Sequence, residues 1–85
     1  MYNIGDRVGA IQKTDDSTVF LYGYGTYLGI HVPPENIGFG IPNPKIALDD
    51  GQIVYGLQCW WGTEERVQKM IGDRKVVMVK VAENE

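Results

Sequence analysis

The amino-acid sequence predicts a mainly β protein, built as a small and strongly bent antiparallel barrel of about five strands, with one short helix before the last strand. Three patterns predict this class. Two clusters of turn-forming residues, at 14–17 and 49–51, each separate segments rich in β-branched and aromatic residues. Glycines interrupt an aromatic segment at 23–29, where a strand is expected to bend. A single helical pattern, at 63–72, precedes a valine-rich segment.

The first part of the chain predicts a β-hairpin that continues into a bent strand. Residues 7–13 and 18–22 are its two strands, and residues 14–17 form the turn, since Asp and Ser favour turns by hydrogen bonding to nearby backbone. The glycines at 23–29 then predict a bulge or a sharp bend.

All four prolines of the chain fall between residues 32 and 44. Proline lacks a backbone donor and restricts the residue before it, so we expect a long ordered loop or an irregular edge here. Within this segment Ile37, Phe39 and Ile41 alternate with glycines. The alternation predicts that the loop presses one apolar face onto the domain.

A second hairpin is predicted at residues 45–60, with the Asp-Gly turn at 49–51 between its strands. Alternation along the second strand gives a core-facing set of Ile53, Tyr55, Leu57, Cys59 and Trp61. The opposite side then holds Val54, Gly56, Gln58 and Trp60. We therefore expect Cys59 and Trp61 inside the protein and Trp60 outside.

The helix is predicted to begin after Thr63, whose side chain suits an N-cap, and to end at Gly72. Its apolar stripe must dock on the sheet, because so short a helix does not persist alone. Residues 75–81 form the last strand, with Val77, Val79 and Val81 on one face, and we expect this strand to be central. Residues 83–85 are expected to fray.

This order of hairpin, bent strand, loop, hairpin, helix and final strand favours a Src-homology-3-like barrel. Three segments, the Gly-Asp-Arg-Val opening at 5–8, the glycine-aromatic segment at 23–29 and the Cys-Trp-Trp-Gly block at 59–62, also resemble small uncharacterised proteins of bacteria and their phages. The resemblance covers most of the chain and implies a bacterial or phage accessory protein. It implies no activity and no catalytic residue.

The composition favours one globular domain spanning residues 1–85, with 44% hydrophobic and 22% charged residues. No apolar run approaches the roughly 18 residues that cross a bilayer, and the first residues lack a signal-peptide pattern. We therefore expect a cytoplasmic protein without a membrane partner. A net charge of -3 disfavours binding to a phosphate backbone.

The sequence offers little for catalysis. Cys59 and His31 are the only residues of their types, so a thiol enzyme would have to pair them without a supporting motif. One nitrogen and one sulfur ligand cannot complete a tetrahedral zinc site, and the aspartate pairs in the turns lack calcium-loop spacing. We expect no catalytic residue, metal or cofactor. The least favoured alternative is a small-molecule or thiol enzyme with a pocket formed by Tyr24, Tyr27, His31 and Cys59.

The aromatic side chains are the candidate binding site, because they exceed what one small core encloses. An aromatic groove on a small barrel could bind an extended peptide or close a homodimer, although the helix or the loop could instead cover the rings. The candidate binding residues are Tyr22, Tyr24, Tyr27, Phe39 and Trp60.

We therefore expect a non-enzymatic interaction domain that holds a protein partner, or a second copy of itself, with its aromatic face and the 32–44 loop. The alternative is a single-stranded nucleic-acid binder. In that alternative Trp60 and the tyrosines stack on bases, and the phosphates are contacted by Lys69, Arg74, Lys75 and Lys80.

Overall fold

The computed structural model describes residues 2–81 as a six-stranded sheet with one α-helix. A short 3-10 turn, Gly56–Gln58, lies between the fourth and fifth strands. In chain order the elements are β1 (Arg7–Thr14), β2 (Thr18–His31), β3 (Asn43–Leu48), β4 (Ile53–Tyr55), β5 (Trp60–Thr63), α1 (Glu64–Ile71) and β6 (Lys75–Met78).

The strands follow the order β4-β3-β2-β1-β5, and β6 pairs with β2. All pairs are antiparallel except β2 with β6, which is parallel. The mainly β class with one helix before the last strand is thus confirmed. The predicted barrel is wrong as a closed one, because no pairing joins β4 to β5 among residues 2–81. β4 is only three residues long and gives way to the 3-10 turn before it can reach β5.

The long strand β2 bends and pairs with two different strands along one edge. Its first part, from Thr18 to Leu21, lies beside β6, and from Gly25 onward it lies beside β3. The register with β1 shifts twice, and Gly23 adopts a φ of 140° between the two parts. The predicted bend in the glycine-aromatic segment is confirmed.

Two clusters of buried side chains form the core. The first contains Val8, Ala10, Tyr22, Tyr27, Ile46, Leu48 and Val54. The second lies beneath the helix and contains Ile11, Val19, Leu21 and Val67, with Met70 and Ile71 packed against it. The helix therefore docks on the sheet through its apolar stripe, as predicted.

The helix boundaries also agree with the prediction. The Thr63 side chain accepts a hydrogen bond of 3.1 Å from the Arg66 backbone N–H. Glu64 and Glu65 occupy the first turn, and Gly72 ends the helix with a φ of 56°. The Thr63 cap and the terminal Gly72 both satisfy backbone groups that a helix end leaves unpaired.

The predicted second strand of the second hairpin is wrong beyond Tyr55. The 3-10 turn Gly56–Gln58 breaks the period of two, and Leu57 is exposed. The predicted sides are also wrong within β4, where Ile53 is exposed and Val54 is completely buried. Cys59 and Trp61 are partly buried and pack against the first core cluster, as expected. Trp60 is 45% exposed, also as expected.

The last strand is shorter than predicted and lies at an edge. Within the described part of the chain β6 pairs only with β2, and Val76 and Met78 are exposed. Val79 and Val81 follow β6 and pack against the first core cluster. The Val81 N–H donates a hydrogen bond of 2.8 Å to the Gln52 Oε1 atom, which ties this segment to the β3–β4 turn. The predicted frayed tail, 83–85, lies outside the described residues.

The prediction that Ile37, Phe39 and Ile41 press onto the domain is wrong for Phe39 and Ile41, whereas Ile37 is partly buried. The N–H groups of Ile37 and Gly38 both donate to the Pro34 carbonyl, so a turn replaces the extended backbone that alternation requires. Phe39 is 95% exposed and Ile41 is also exposed. The buried residues of the loop are instead Pro33 and Gly38.

Candidate functional site

The five aromatic residues predicted as a binding site do not form one surface. Tyr22 and Tyr27 are buried in the first core cluster. Tyr24 packs against the second cluster, beneath the helix, and is only partly exposed. Phe39 and Trp60 remain exposed, but Phe39 lies in the loop after β2 and Trp60 lies on β5.

Tyr27 belongs to a group of three packed rings. Its ring stacks on that of Trp61 with a centroid distance of 5.5 Å and an interplanar angle of 12°. Tyr2 packs on Trp61 at 4.5 Å in a tilted arrangement. These contacts hold β5 and the N-terminal segment on β2, so the rings contribute to packing.

Trp60 is partly covered by its own chain. A Cβ atom added at Gly62 would lie 3.7 Å from Cη2 of Trp60 and 3.8 Å from the Tyr2 hydroxyl. The indole therefore lies over the glycine two residues further along β5. This contact leaves 45% of Trp60 exposed.

An exposed apolar surface lies at the end of β2 and β3 that carries the loop. We call it the loop surface; its members are Ile30, Val32, Phe39, Ile41 and Leu57. The Ile30–Pro44 and His31–Asn43 pairs hold the two ends of the loop together. A Cβ atom at Gly38 would lie 3.3 Å from Pro33 and 3.4 Å from Leu57, which places Leu57 against the loop.

Local hydrogen bonds order the loop surface. The Asn43 side-chain amide donates to the Ile41 carbonyl at 3.0 Å, and His31 Nε2 lies 3.1 Å from the Leu28 carbonyl oxygen. Residues 36–44 include no charged side chain. The loop therefore presents apolar side chains on an ordered backbone, with no charge at its centre.

Of the individually predicted binding residues only Phe39 belongs to the loop surface, and the predicted 32–44 loop also contains Val32 and Ile41; Ile30 and Leu57 were missed. Ile30 and Val32 flank His31 beside the first proline, and Leu57 was assigned to the core by alternation. The sequence signal that could have identified this surface is the combination of apolar residues with closely spaced Pro and Gly. Such a backbone cannot keep the alternation that would bury them.

The environment of Cys59 is that of an unreactive thiol. Burial raises the pKa of the Cys59 thiol to about 12. The Sγ atom donates to the Tyr55 carbonyl at 3.5 Å. A thiol with so high a pKa is almost entirely protonated at neutral pH and is a poor nucleophile.

The described residues hold no group of three or more His, Cys, Asp or Glu side chains able to bind a metal ion. No helix within residues 2–81 is long and apolar enough to span a membrane.

Several cationic side chains are engaged within the protein. Arg7 makes two hydrogen bonds to the Asp49 carboxylate, at 2.8 and 2.7 Å, and one to Glu64 at 3.3 Å. Arg74 donates to the Thr14 hydroxyl at 2.7 Å and to the carbonyls of Asp15 and Met70. Arg74 is one of the four cations expected to contact phosphates in the nucleic-acid alternative. In the structure it already binds the turn between β1 and β2.

Comparison with family models, with curated proteins and with solved structures finds no match to this chain. The candidate function accordingly rests on the chain's own surfaces.

Proposed function

We propose that this protein is a non-catalytic interaction domain that associates with a second copy of itself through the loop surface. The observation that carries the proposal is the 95% exposure of Phe39 in a loop that, with its flanking elements, carries four other exposed apolar side chains. Burying one large apolar side chain contributes roughly 1.5 to 3 kcal/mol. A surface with five of them is therefore costly to leave in water.

The absence of charged side chains from residues 36–44 favours a second copy as the partner. Homodimer interfaces are more apolar than other interfaces, and charged residues are depleted at their centre. A two-fold interface places the same patch on both subunits, so an uncharged apolar patch is compatible with itself. Phe39 then acts as the central anchor, a position where aromatic residues often dominate the binding energy.

We also propose that the strands have a Src-homology-3-like arrangement. The strongly bent β2, shared by two parts of the sheet, and the helix before the last strand support it. In this arrangement the loop surface lies at one end of the open sheet, where a partner can pack without disturbing the core.

Sedimentation velocity of the full chain, from low micromolar to about 500 micromolar, tests the proposal. We expect a monomer–dimer equilibrium that Phe39→Ser weakens by at least about tenfold, the equivalent of 1.4 kcal/mol. Because Phe39 is almost fully exposed in the monomer, Phe39→Ser should leave the thermal unfolding midpoint unchanged at a concentration low enough that both proteins are monomeric.

Trp60→Ser is the matched control, since it removes an exposed aromatic ring from β5, where Trp60 pairs with Ile11 of β1. It should leave dimerisation intact. A wild-type protein that stays monomeric at the highest concentration would overturn the proposal. A dimer that Trp60→Ser weakens and Phe39→Ser does not would overturn it equally.

A further inference from the structure

A small cleft opens where β2 passes from one neighbour to the next. β6 accompanies β2 up to Leu21 and β3 joins it from Gly25, so the edge of β2 has no paired strand in between. The cleft has a volume of about 140 Å³. Its apolar walls are formed by Tyr22, Leu48 and Met78, and Asp49 and Asp50 lie at its rim.

The wall of the cleft contains a polar group that has no hydrogen-bond partner within residues 2–81. Tyr22 is only 5% exposed, and within residues 2–81 its hydroxyl makes no hydrogen bond. No fully buried polar side-chain atom in this part of the chain is unpaired, so the hydroxyl must reach solvent. Since Tyr22 lines the cleft, we infer that its hydroxyl opens into it.

The two rim carboxylates differ in their charge balance. Asp49 is neutralised by Arg7, which contacts both of its oxygens. Asp50 accepts from the Gln52 backbone N–H at 3.0 Å and from the Gln52 side-chain amide at 2.6 Å. No cation within residues 2–81 lies at salt-bridge distance from Asp50, although the positive charge of Lys80 acts on it from further away. The Gln52 hydrogen bonds lower the pKa of Asp50, so the carboxylate is ionised at neutral pH.

We propose that the cleft binds the side chain of a lysine presented by a partner protein. Asp50 and the Tyr22 hydroxyl receive the ammonium group, and the aliphatic chain packs between Leu48 and Met78. Each carboxylate oxygen of Asp50 keeps capacity for a further hydrogen bond after Gln52 has used one. An ammonium point charge suits these single remaining sites better than a guanidinium, which binds best to an unoccupied pair of oxygens.

This cleft is separate from the loop surface. β3 begins beside the loop and ends at Leu48, and its six residues span about 17 Å. The lysine site therefore does not depend on dimerisation, and the two proposals fail independently.

Nuclear magnetic resonance titration of the 15N-labelled full chain with N-acetyl-lysine N-methylamide at low salt tests the site. We expect shifts of amide signals at residues 22–24, 48–50 and 78, with a millimolar dissociation constant. N-acetyl-norleucine N-methylamide has the same chain without the ammonium and should cause much smaller shifts. Raising the salt to about 0.5 M should weaken lysine binding, because a surface ion pair is screened.

Asp50→Asn and Tyr22→Phe should each weaken lysine binding by roughly three- to tenfold. Asp16→Asn, in the other hairpin turn, is the control and should have no effect, and Phe39→Ser should titrate like the wild type. An unchanged spectrum in 50 mM ligand overturns the site. Equal binding of the norleucine compound, or binding that survives Asp50→Asn undiminished, overturns the role of the ammonium.

Discussion

At the scale of single residues, the approach of β3 to β2 requires glycine at position 25. A Cβ atom there would lie 2.7 Å from the Leu48 Cα atom and closer still to the Ala47 carbonyl oxygen. These are backbone atoms of a paired strand, which cannot rotate away as a side chain can. Gly25 is thus required by space, whereas Gly23, with a φ of 140°, is required by backbone conformation.

Gly25→Ala is expected to destabilise the protein by at least about 3 kcal/mol, because β3 must move away from β2. Gly62→Ala is the matched control, since its Cβ atom would meet neighbours only at 3.7 Å or more. Its effect should stay within about 1 kcal/mol. Urea unfolding of both variants measures the difference, and equal stabilities would contradict the steric argument.

At the scale of elements, the structure shows where local sequence chemistry was sufficient. The β1–β2 hairpin and the helix were predictable because their signals are local: turn-forming residues at 14–17, a Thr63 cap and a terminating Gly72. The β3–β4 turn was predictable for the same reason.

Elements decided by contacts distant in sequence were not predictable. Residues 56–58 have a strand-like sequence but form a 3-10 turn. The turn packs Gly56 closely on Pro44, a contact distant in sequence that the local pattern does not show. The edge position of β6 depends on its parallel pairing with Thr18–Leu21. No pattern within 75–81 encodes that partner. The same limit applied to the candidate site, because burial of Tyr22 and Tyr27 depends on packing between strands.

The helix N-cap gives a prediction at this scale. Thr63→Ala removes the acceptor for the Arg66 N–H and should cost about 1 kcal/mol in the free energy of unfolding. Thr63→Ser keeps the hydroxyl, so its free energy of unfolding should stay within a few tenths of a kcal/mol of the wild-type value. Chemical denaturation followed by tryptophan fluorescence distinguishes them. Equal losses in the two variants would show that the methyl group of Thr63, rather than its hydroxyl, matters.

At the scale of the whole molecule, carboxylates in both hairpin turns stabilise the fold, Asp49 through a contact distant in sequence and Asp15 through local hydrogen bonds. Asp49 joins β1 and, through Arg7, the helix residue Glu64. Asp15 accepts hydrogen bonds from the Ser17 and Thr18 N–H groups, which lower its pKa. The hydrogen bonds from Arg7 lower the pKa of Asp49 in the same way.

These lowered pKa values predict that acid destabilises the protein. A carboxyl group with a folded-state pKa below its unfolded value of 3.8 contributes stability at higher pH, and this contribution disappears as the pH falls through the folded pKa. We expect the thermal unfolding midpoint to be level between pH 5 and 7 and to fall below about pH 4.

Circular dichroism melting curves at pH 2 to 7 measure this dependence. Asp15→Asn should lower the midpoint at pH 7 and reduce the fall below pH 4, because one of the titrating groups has been removed. A wild-type midpoint that stays level down to pH 2 would refute the assignment.

The pairing of Thr18 with Lys75 also determines how the chain assembles during synthesis. Residues 75–81, which cover the open edge of the first hairpin and pack on its core, emerge from the ribosome long after that hairpin does. The nascent chain therefore carries an unpaired strand edge until residues 75–81 have been made. A chain interrupted before Lys75 would offer that edge to any other chain able to pair with it.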